Sequence, residues 1–238
     1  MIHIRPMPPE GKDIHQSSNA ERYAQAVDPL RKGFQYHHIK LLNLLIRRLK
    51  KPGRLLEVGC NRGEFLNVAK SMGFDVLGVE PASGAASRVD GVPILNEPIE
   101  RVALPQNQFD AAVAIQVIEH VRDPSVLLEQ MLKSLKPGGV IYLETPNYGS
   151  LARRWGSSRF MNLNVAPGHW HLFNADSIRF LLERHGMQPI KVWTFYKALS
   201  AYGRGAARVA LVEILNRTVG LLGLANTLAV LAQKRSGE

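Results

Sequence analysis

The chain alternates between two kinds of apolar segment, and this alternation constrains its fold more than any other feature. Short runs at Arg54–Val58, Asp75–Glu80, Pro93–Leu95, Phe109–Ile115 and Val140–Glu144 have the length and composition of buried strands. Segments with helical spacing lie between them. Gly63–Met72 carries Phe65, Leu66, Val68, Ala69 and Met72 on its apolar side and is closed by Gly73. A short helix is expected at residues 82–88. Asp123 and Pro124 suit the N-cap and first position of another helix, whose expected core face is Val126, Leu127, Met131 and Leu135. Lys136-Pro137-Gly138-Gly139 reads as a turn. Such β-α-β-α succession predicts an α/β fold, doubly wound around a parallel sheet with helices on both faces. Ligands of such sheets bind beyond the carboxyl ends of the strands. Those ends carry Glu57-Val58-Gly59, Glu80, Asn96-Glu97, Gln116 and Glu144–Asn147.

The flanks extend this frame. A polar segment, 1–26, precedes one domain over 27–234. A helix is predicted from Val27 to Lys50, where Val27, Leu30, Phe34, Leu41, Leu45 and Leu49 follow helical spacing and the last turn is basic. Residues 145–175 read as a long loop rich in aromatics and histidines. A helix over Asp176–His185, with Gly186 at its C′ position, and a strand over Ile190–Tyr196 follow. An apolar, partly amphipathic helix is expected at 205–222 and a last strand at Asn226–Gln233. Arg208, Glu213, Asn216 and Arg217 interrupt that helix too often for it to span a bilayer. Its apolar side is left with three uses: covering a pocket, forming a dimer surface or resting on a membrane.

Composition narrows the class. The 238 residues, 45% apolar and 21% charged, are those of an ordinary soluble globule. Cys60 is the one cysteine, so an intramolecular disulfide is impossible and a cytoplasmic setting is expected. Met1 leads into a polar segment without the apolar core of a signal peptide. The net charge of +10 admits nucleic acid, an anionic membrane or an acidic substrate. Its basic residues are dispersed and no nucleic-acid module accompanies them, which favours a solvated basic surface.

The loop after the first strand, within LLEVGCNRG at 55–63, selects the ligand. A glycine-rich turn from strand to helix lets backbone N–H groups approach a bound molecule. A dinucleotide site calls for G-x-G-x-x-G, whereas Gly59, Asn61 and Gly63 form G-x-N-x-G. Glu57 lies two residues before Gly59, where a carboxylate repels a pyrophosphate and attracts a cation. S-adenosylmethionine is such a ligand, with an ammonium, a sulfonium and no phosphate. Glu80, at the end of the second strand, can accept from both hydroxyls of a ribose, a role shared with NAD sites.

LLEVGCNRG, VLGVEPA, FDAAVAIQVIEHVRDP, LKPGGVIYLETPN and HWHLFNADSIRFLLERHGM occur in this order. Together they resemble a class I S-adenosylmethionine-dependent methyltransferase over roughly residues 30–234, of the branch similar to ubiquinone-biosynthesis and glycan or natural-product enzymes. The resemblance implies a Rossmann-like seven-stranded sheet whose last strand, here NTLAVLAQK, is antiparallel. It implies cofactor contacts from Glu57, Gly59, Asn61 and Gly63, with Cys60 as a small space-filler in the loop. Further contacts would come from Glu80 and the adjoining Pro81, from Asn96 or Glu97 beside the adenine, and from Gln116 beside the methionine moiety. Asn61 replaces the usual middle glycine, and asparagine tolerates the left-handed backbone that the loop needs.

Methyl transfer from a sulfonium requires alignment of the acceptor and exclusion of water, and an oxygen acceptor can need a base. His120, His169 and His171 are the candidates. Glu119 and His120 either position a ligand or bond backbone or Arg122. One of His169 and His171, which at i and i+2 would share one side, either faces the acceptor or serves the fold by stacking on Trp170 or capping the next helix. Ubiquinone-type relatives can bind a divalent metal here through an acid, two residues and Glu-His. Gln116 replaces that acid, so no metal is expected. Thr145–Tyr148 either borders the acceptor pocket or forms a turn, and Tyr36, His37 and His38 either line a pocket or pack in the core. The implied reaction is methyl transfer to a small-molecule, glycan or lipid-linked acceptor, most directly at oxygen. A non-catalytic S-adenosylmethionine-binding protein and a nucleic-acid methyltransferase are the alternatives, the latter without the Asn/Asp-Pro-Pro-Tyr/Phe motif.

Overall fold

The computed structural model describes residues 29–82, 91–154, 168–196 and 206–235. The polar segment at 1–26, most of the short helix expected at 82–88 and part of the long loop lie outside them. In chain order the elements are α1 (Pro29–Leu49), β1 (Arg54–Val58), α2 (Glu64–Ser71), β2 (Asp75–Val79), β3 (Ile94–Leu95) and β4 (Phe109–Ile115). They continue with α3 (Pro124–Ser134), β5 (Leu135–Pro146), α4 (Leu151–Arg154), α5 (Ala175–Arg184), β6 (Met187–Phe195), α6 (Ala206–Leu215) and β7 (Thr227–Lys234). One π-helical turn, Asn216–Gly220, extends α6.

The seven strands form one sheet in the order β3-β2-β1-β4-β5-β7-β6. β1 to β5 run parallel, and β7 lies antiparallel between β5 and β6, as the resemblance implies. Strand order reverses between β1 and β4, so the ligand crevice of a doubly wound sheet falls at their carboxyl ends. Alternation divides the core into two layers. On one face Leu127, Leu128 and Met131 of α3 and Ile178 and Leu182 of α5 pack on Leu56, Ala112, Ile141 and Val230. On the other, Leu41, Leu42 and Leu45 of α1 and Phe65, Leu66 and Ala69 of α2 pack on Leu55, Val113, Val140 and Tyr142.

Three local readings change. Lys136–Gly139 does not separate α3 from a later strand; it is a bulge inside β5. Phe109 pairs with Leu135 and Ala111 already with Val140, so the four residues 136–139 stand opposite Asp110 alone, with Gly138 at φ 75°. Leu135 therefore belongs to the strand, and the buried face of α3 is Leu127, Leu128, Met131 and Ser134, with Val126 half-buried. α5 is capped by Asn174, whose side chain accepts from the Ser177 N–H (2.8 Å) while Ser177 Oγ accepts from the Asn174 N–H (2.9 Å). β6 starts at Met187 because it pairs with β7 along its whole length; Pro189 is tolerated there because β6 is an edge strand with a register shift at that point. Asp123 caps α3 as expected, accepting from Ser125 N–H at 2.8 Å.

Candidate functional site

The loop between β1 and α2 is built on three left-handed residues, Gly59 (φ 72°), Asn61 (φ 47°) and Gly63 (φ 73°). Asparagine thus holds the conformation expected of it. Gly59 is required twice over. Its φ is positive, and a Cβ there would sit 2.4 Å from Cγ2 of Val117, on the segment leaving β4. The Gly59 and Cys60 N–H groups donate to Val79 O at 2.7 and 3.2 Å, so the loop folds over the end of β2. Glu80 fastens it there: its carboxylate accepts from the Asn61 N–H at 2.9 Å and from the Ala82 N–H at 3.1 Å. Each carboxylate oxygen retains capacity for another donor. The Glu80 N–H donates to Leu95 O at 3.0 Å, which brings the exposed Pro81, Asn96 and Glu97 to the same edge of the crevice.

Glu57 is the chemically most telling residue. It is 4% exposed, and its Oε2 has no hydrogen-bond partner among the described residues. Burial, and secondarily the charge of Glu80, push its carboxyl well above the ordinary carboxylate range. A buried oxygen of this kind is costly without a donor. The same burial, then Glu57 and Glu80, push the Cys60 thiol up. Its sulfur fills space against β2, where a Cβ on Gly78 would meet it at 2.7 Å. That fits a packing role and no thiolate chemistry.

The exit of β4 carries the second group. Gln116 is left-handed at φ 58°, uncommon outside glycine, and its N–H donates to Glu144 O at 2.7 Å. Glu119 is buried, and its Oε2 accepts from the Thr145 hydroxyl at 2.9 Å. His120 bonds Gly168 O through Nδ1 at 2.5 Å and meets the His169 ring edge to face at 4.6 Å. The Trp170 N–H donates to Glu119 O at 2.8 Å, drawing the histidine-rich segment onto this exit. His169 and His171 meet different rings, His120 and Phe173 respectively. His171 is buried, donates from Nε2 to Arg122 O at 3.1 Å and lies beside Phe173. Gln116 takes one acid from this exit, yet His169 joins Glu119 and His120, and ligand atoms of the three lie within 4.8 Å of one another. Asn147 follows the turn reading. Its Oδ1 accepts from the Gly149 N–H and its Nδ2 donates to Gly223 O and Ala225 O.

A third group joins residues that the sequence keeps apart. Glu144 of β5 is wholly buried, and its Oε2 accepts from the Tyr142 hydroxyl at 2.9 Å and pairs with His37 Nε2 of α1 at 2.8 Å. The His37 ring stacks on Phe195 of β6 at 5.3 Å. Burial, then the Glu144 charge, push the Tyr142 phenol well up. His37 and Tyr142 line a cavity of about 510 Å³ between α1, β6 and the end of α6. His38 instead turns into the core against Phe65. The available signal is that Tyr142 and Glu144 fall on one face of an otherwise apolar strand; what pairs them with a helix 107 residues earlier is the packing of α1.

The crevice at the ends of β1 and β4 thus carries the glycine turn with a buried acid beneath it. A methyltransferase domain family model matches residues 30–192, and the chain belongs to that family. It is 28% identical over 162 residues to the ubiquinone biosynthesis O-methyltransferase of Dinoroseobacter shibae, covering 60% of this chain and 65% of that protein. It is 28% identical over 167 residues to the mitochondrial ubiquinone biosynthesis O-methyltransferase of Homo sapiens, covering 63% of this chain and 45% of that one. The chain thus spans less than two thirds of the length of these relatives. A crystal structure of an S-adenosylmethionine-dependent methyltransferase from Archaeoglobus fulgidus superposes with a TM-score of 0.63 at 23% identity, covering 86% of this chain and 94% of that one. The fold is that of the class I S-adenosylmethionine-dependent methyltransferases.

Proposed function

We propose that the protein transfers a methyl group from S-adenosylmethionine to a small-molecule acceptor, and that the accepting atom is oxygen. The observation that carries this reading is the buried Glu57 oxygen without a partner, at the foot of a turn that only glycine can open. The cofactor ammonium satisfies that oxygen, whereas a pyrophosphate brings acceptors and no donor to it. Gly59, Cys60, Asn61 and Gly63 shape the loop around the methionine end, with Gln116 opposite. Glu80 and Pro81 take the ribose side, and Asn96 and Glu97 the adenine side. When bound, the cofactor supplies an activated methyl group; the chain's residues hold it, exclude water and align the acceptor. Oxygen as the acceptor atom is the chemistry named for the ubiquinone O-methyltransferases that the chain resembles. The test is a screen of phenolic, sugar-linked and lipid-linked acceptors with radiolabelled cofactor. Incorporation into an oxygen of one class is expected, and incorporation only into nitrogen, carbon or nucleic acid would overturn the oxygen reading.

On the acceptor side, His120 and His169 with Glu119 are placed to position the acceptor, while His171 holds its segment against Arg122. The proximity of three potential ligand atoms favours one variant of this reading, a divalent cation held by Glu119, His120 and His169. Such an ion would orient an acceptor oxygen. Titration of the protein with Mg²⁺ and Mn²⁺, against a His169→Gln variant, tests it. A domain over 27–234 with α6 as part of it completes the reading. Leu211, Ile214, Leu221 and Leu222 are exposed on and after α6, which supports a contact surface there. Among the described residues no helix is long and apolar enough to cross a membrane.

A further inference from the structure

We propose that His37 is the base that takes the acceptor's proton, and that the cavity it lines holds a planar aromatic hydroxyl compound. The inference rests on the methyltransferase reading and names a residue and a pocket outside the cofactor loop.

Val113 of β4 is in register with Glu57 of β1 on one side and with Tyr142 of β5 on the other. Residues in register across parallel strands share a face, so Glu57 and Tyr142 lie on the same side of the sheet, two strand spacings apart, about 9–10 Å. Glu144 is two residues further on, about 7 Å nearer the carboxyl ends where ligands bind. The His37–Glu144 pair therefore stands beside the cofactor crevice, on the face to which Glu57 belongs.

The chemistry of the pair follows from its bonds. Glu144 is wholly buried, and its Oε2 accepts from the Tyr142 hydroxyl and faces His37 Nε2. With Glu144 ionised its carboxylate only accepts, which places the imidazole proton on Nε2 and leaves the lone pair on Nδ1. No hydrogen bond among the described residues engages Nδ1. Stacking on Phe195 fixes the plane of the ring. A histidine held by a carboxylate on one nitrogen and lining a cavity has the parts of a general base. His120 is tied to Gly168 O and His171 to Arg122 O by the nitrogens named above, and the Glu119 carboxylate stands 3.9 Å from His120 Nε2, against 2.8 Å between Glu144 and His37.

The cavity selects the acceptor. Its volume of about 510 Å³ suits a small molecule. Tyr36, Trp193, Phe195 and Tyr196 supply flat walls, Leu41 and Leu44 an apolar side. Such walls favour a planar ring through stacking and edge contacts. Lys40 bonds Glu213 at 3.1 Å and so ties α1 to α6 at the rim. In the transfer, the hydroxyl oxygen forms a bond to the methyl carbon as the carbon–sulfur bond breaks. The bonding pair returns to sulfur, leaving a thioether. The hydroxyl proton passes to His37 Nδ1, and Glu144 balances the imidazolium formed.

The experiment uses the full chain and the variants His37→Gln, Glu144→Gln and Leu41→Trp, the last filling the cavity. The probes are catechol, 3,4-dihydroxybenzoate and 1-naphthol. Saturation-transfer NMR without cofactor should show a probe bound to wild type and to His37→Gln, with the signal lost in Leu41→Trp. With S-adenosylmethionine, His37→Gln should lower kcat at least 100-fold with KM within threefold. Glu144→Gln, a positioning change, should lower kcat about tenfold or more with KM again unmoved, while His120→Gln and His169→Gln lose less than His37→Gln. Calorimetry with S-adenosylhomocysteine should give the same affinity within threefold in wild type and His37→Gln. Absence of that binding in wild type sinks the methyltransferase reading itself. With it present, the inference is overturned if no probe binds or is methylated, if binding survives Leu41→Trp, or if His37→Gln keeps kcat within threefold. Should Leu41→Trp not fold, the His37→Gln comparison decides alone.

Discussion

Replacing Glu57 by glutamine separates the two consequences of burying that carboxyl. In the free protein Glu57 is 4% exposed, has one oxygen without a partner and is held well above its ordinary pKa of 4.5 by burial. The folded state therefore binds more protons than the unfolded chain once the pH passes the unfolded pKa. Stability must fall as pH rises from there towards the raised folded pKa. Glutamine removes the penalty, so the variant should equal or exceed wild type in Tm at pH 8, and its Tm should depend less on pH. Ligand binding should respond in the opposite sense. An ammonium on Glu57 restores its charge, so binding releases a proton and strengthens with pH. A hydrogen bond with an ionised partner contributes about 1.5–3 kcal/mol, against about 1 kcal/mol for a neutral one. The substitution should thus weaken S-adenosylhomocysteine by about 1–2 kcal/mol, or roughly 5–30-fold. Calorimetry at pH 6 and 8, in buffers of different ionisation enthalpy, reads both affinity and proton release. Binding of the variant within twofold of wild type, together with no proton release by wild type, would refute the assignment of Glu57 to the cofactor ammonium.

Three further outcomes follow from the loop and the caps. Gly59→Ala combines a left-handed alanine with a 2.4 Å overlap on Val117 and should cost roughly 3 kcal/mol of stability by denaturant unfolding, with loss of ligand binding. Asn61→Gly should bind S-adenosylhomocysteine within twofold, since Asn61 reaches Glu80 through its backbone N–H; a tenfold loss would reveal a side-chain contact. Asn174→Ala removes the cap of α5 and should lower stability by about 1 kcal/mol without changing ligand affinity, measured by urea unfolding and calorimetry.

The parallel half of the sheet was legible because each strand is a short apolar run closed by a turn residue: Phe109–Ile115 and Arg54–Val58 have the boundaries read from sequence. The loop was legible for a related reason, since glycine and asparagine mark left-handed positions and Glu57 marks charge. The bulge at Lys136–Gly139 was not, because proline and two glycines read equally as a turn between elements or as an extrusion within one; the pairing of Leu135 with Phe109 decides. The start of β6 was hidden by Pro189, which counts against a strand until the strand is known to be at an edge. At the site, periodicity could not tell that His169 joins His120 while His171 turns to Arg122. Nor could it pair His37 with Glu144. Both are contacts of long sequence separation, set by how helix and loop dock on a finished sheet.

On the reading proposed above, the turn after β1 receives an adenosyl ligand whose ammonium meets Glu57. Titration calorimetry of the protein with S-adenosylhomocysteine and, separately, with NAD tests it most directly. Saturable binding of one S-adenosylhomocysteine per chain with release of a proton, and no heat from NAD, is the expected result. Binding of NAD without S-adenosylhomocysteine, or binding of neither, would contradict it.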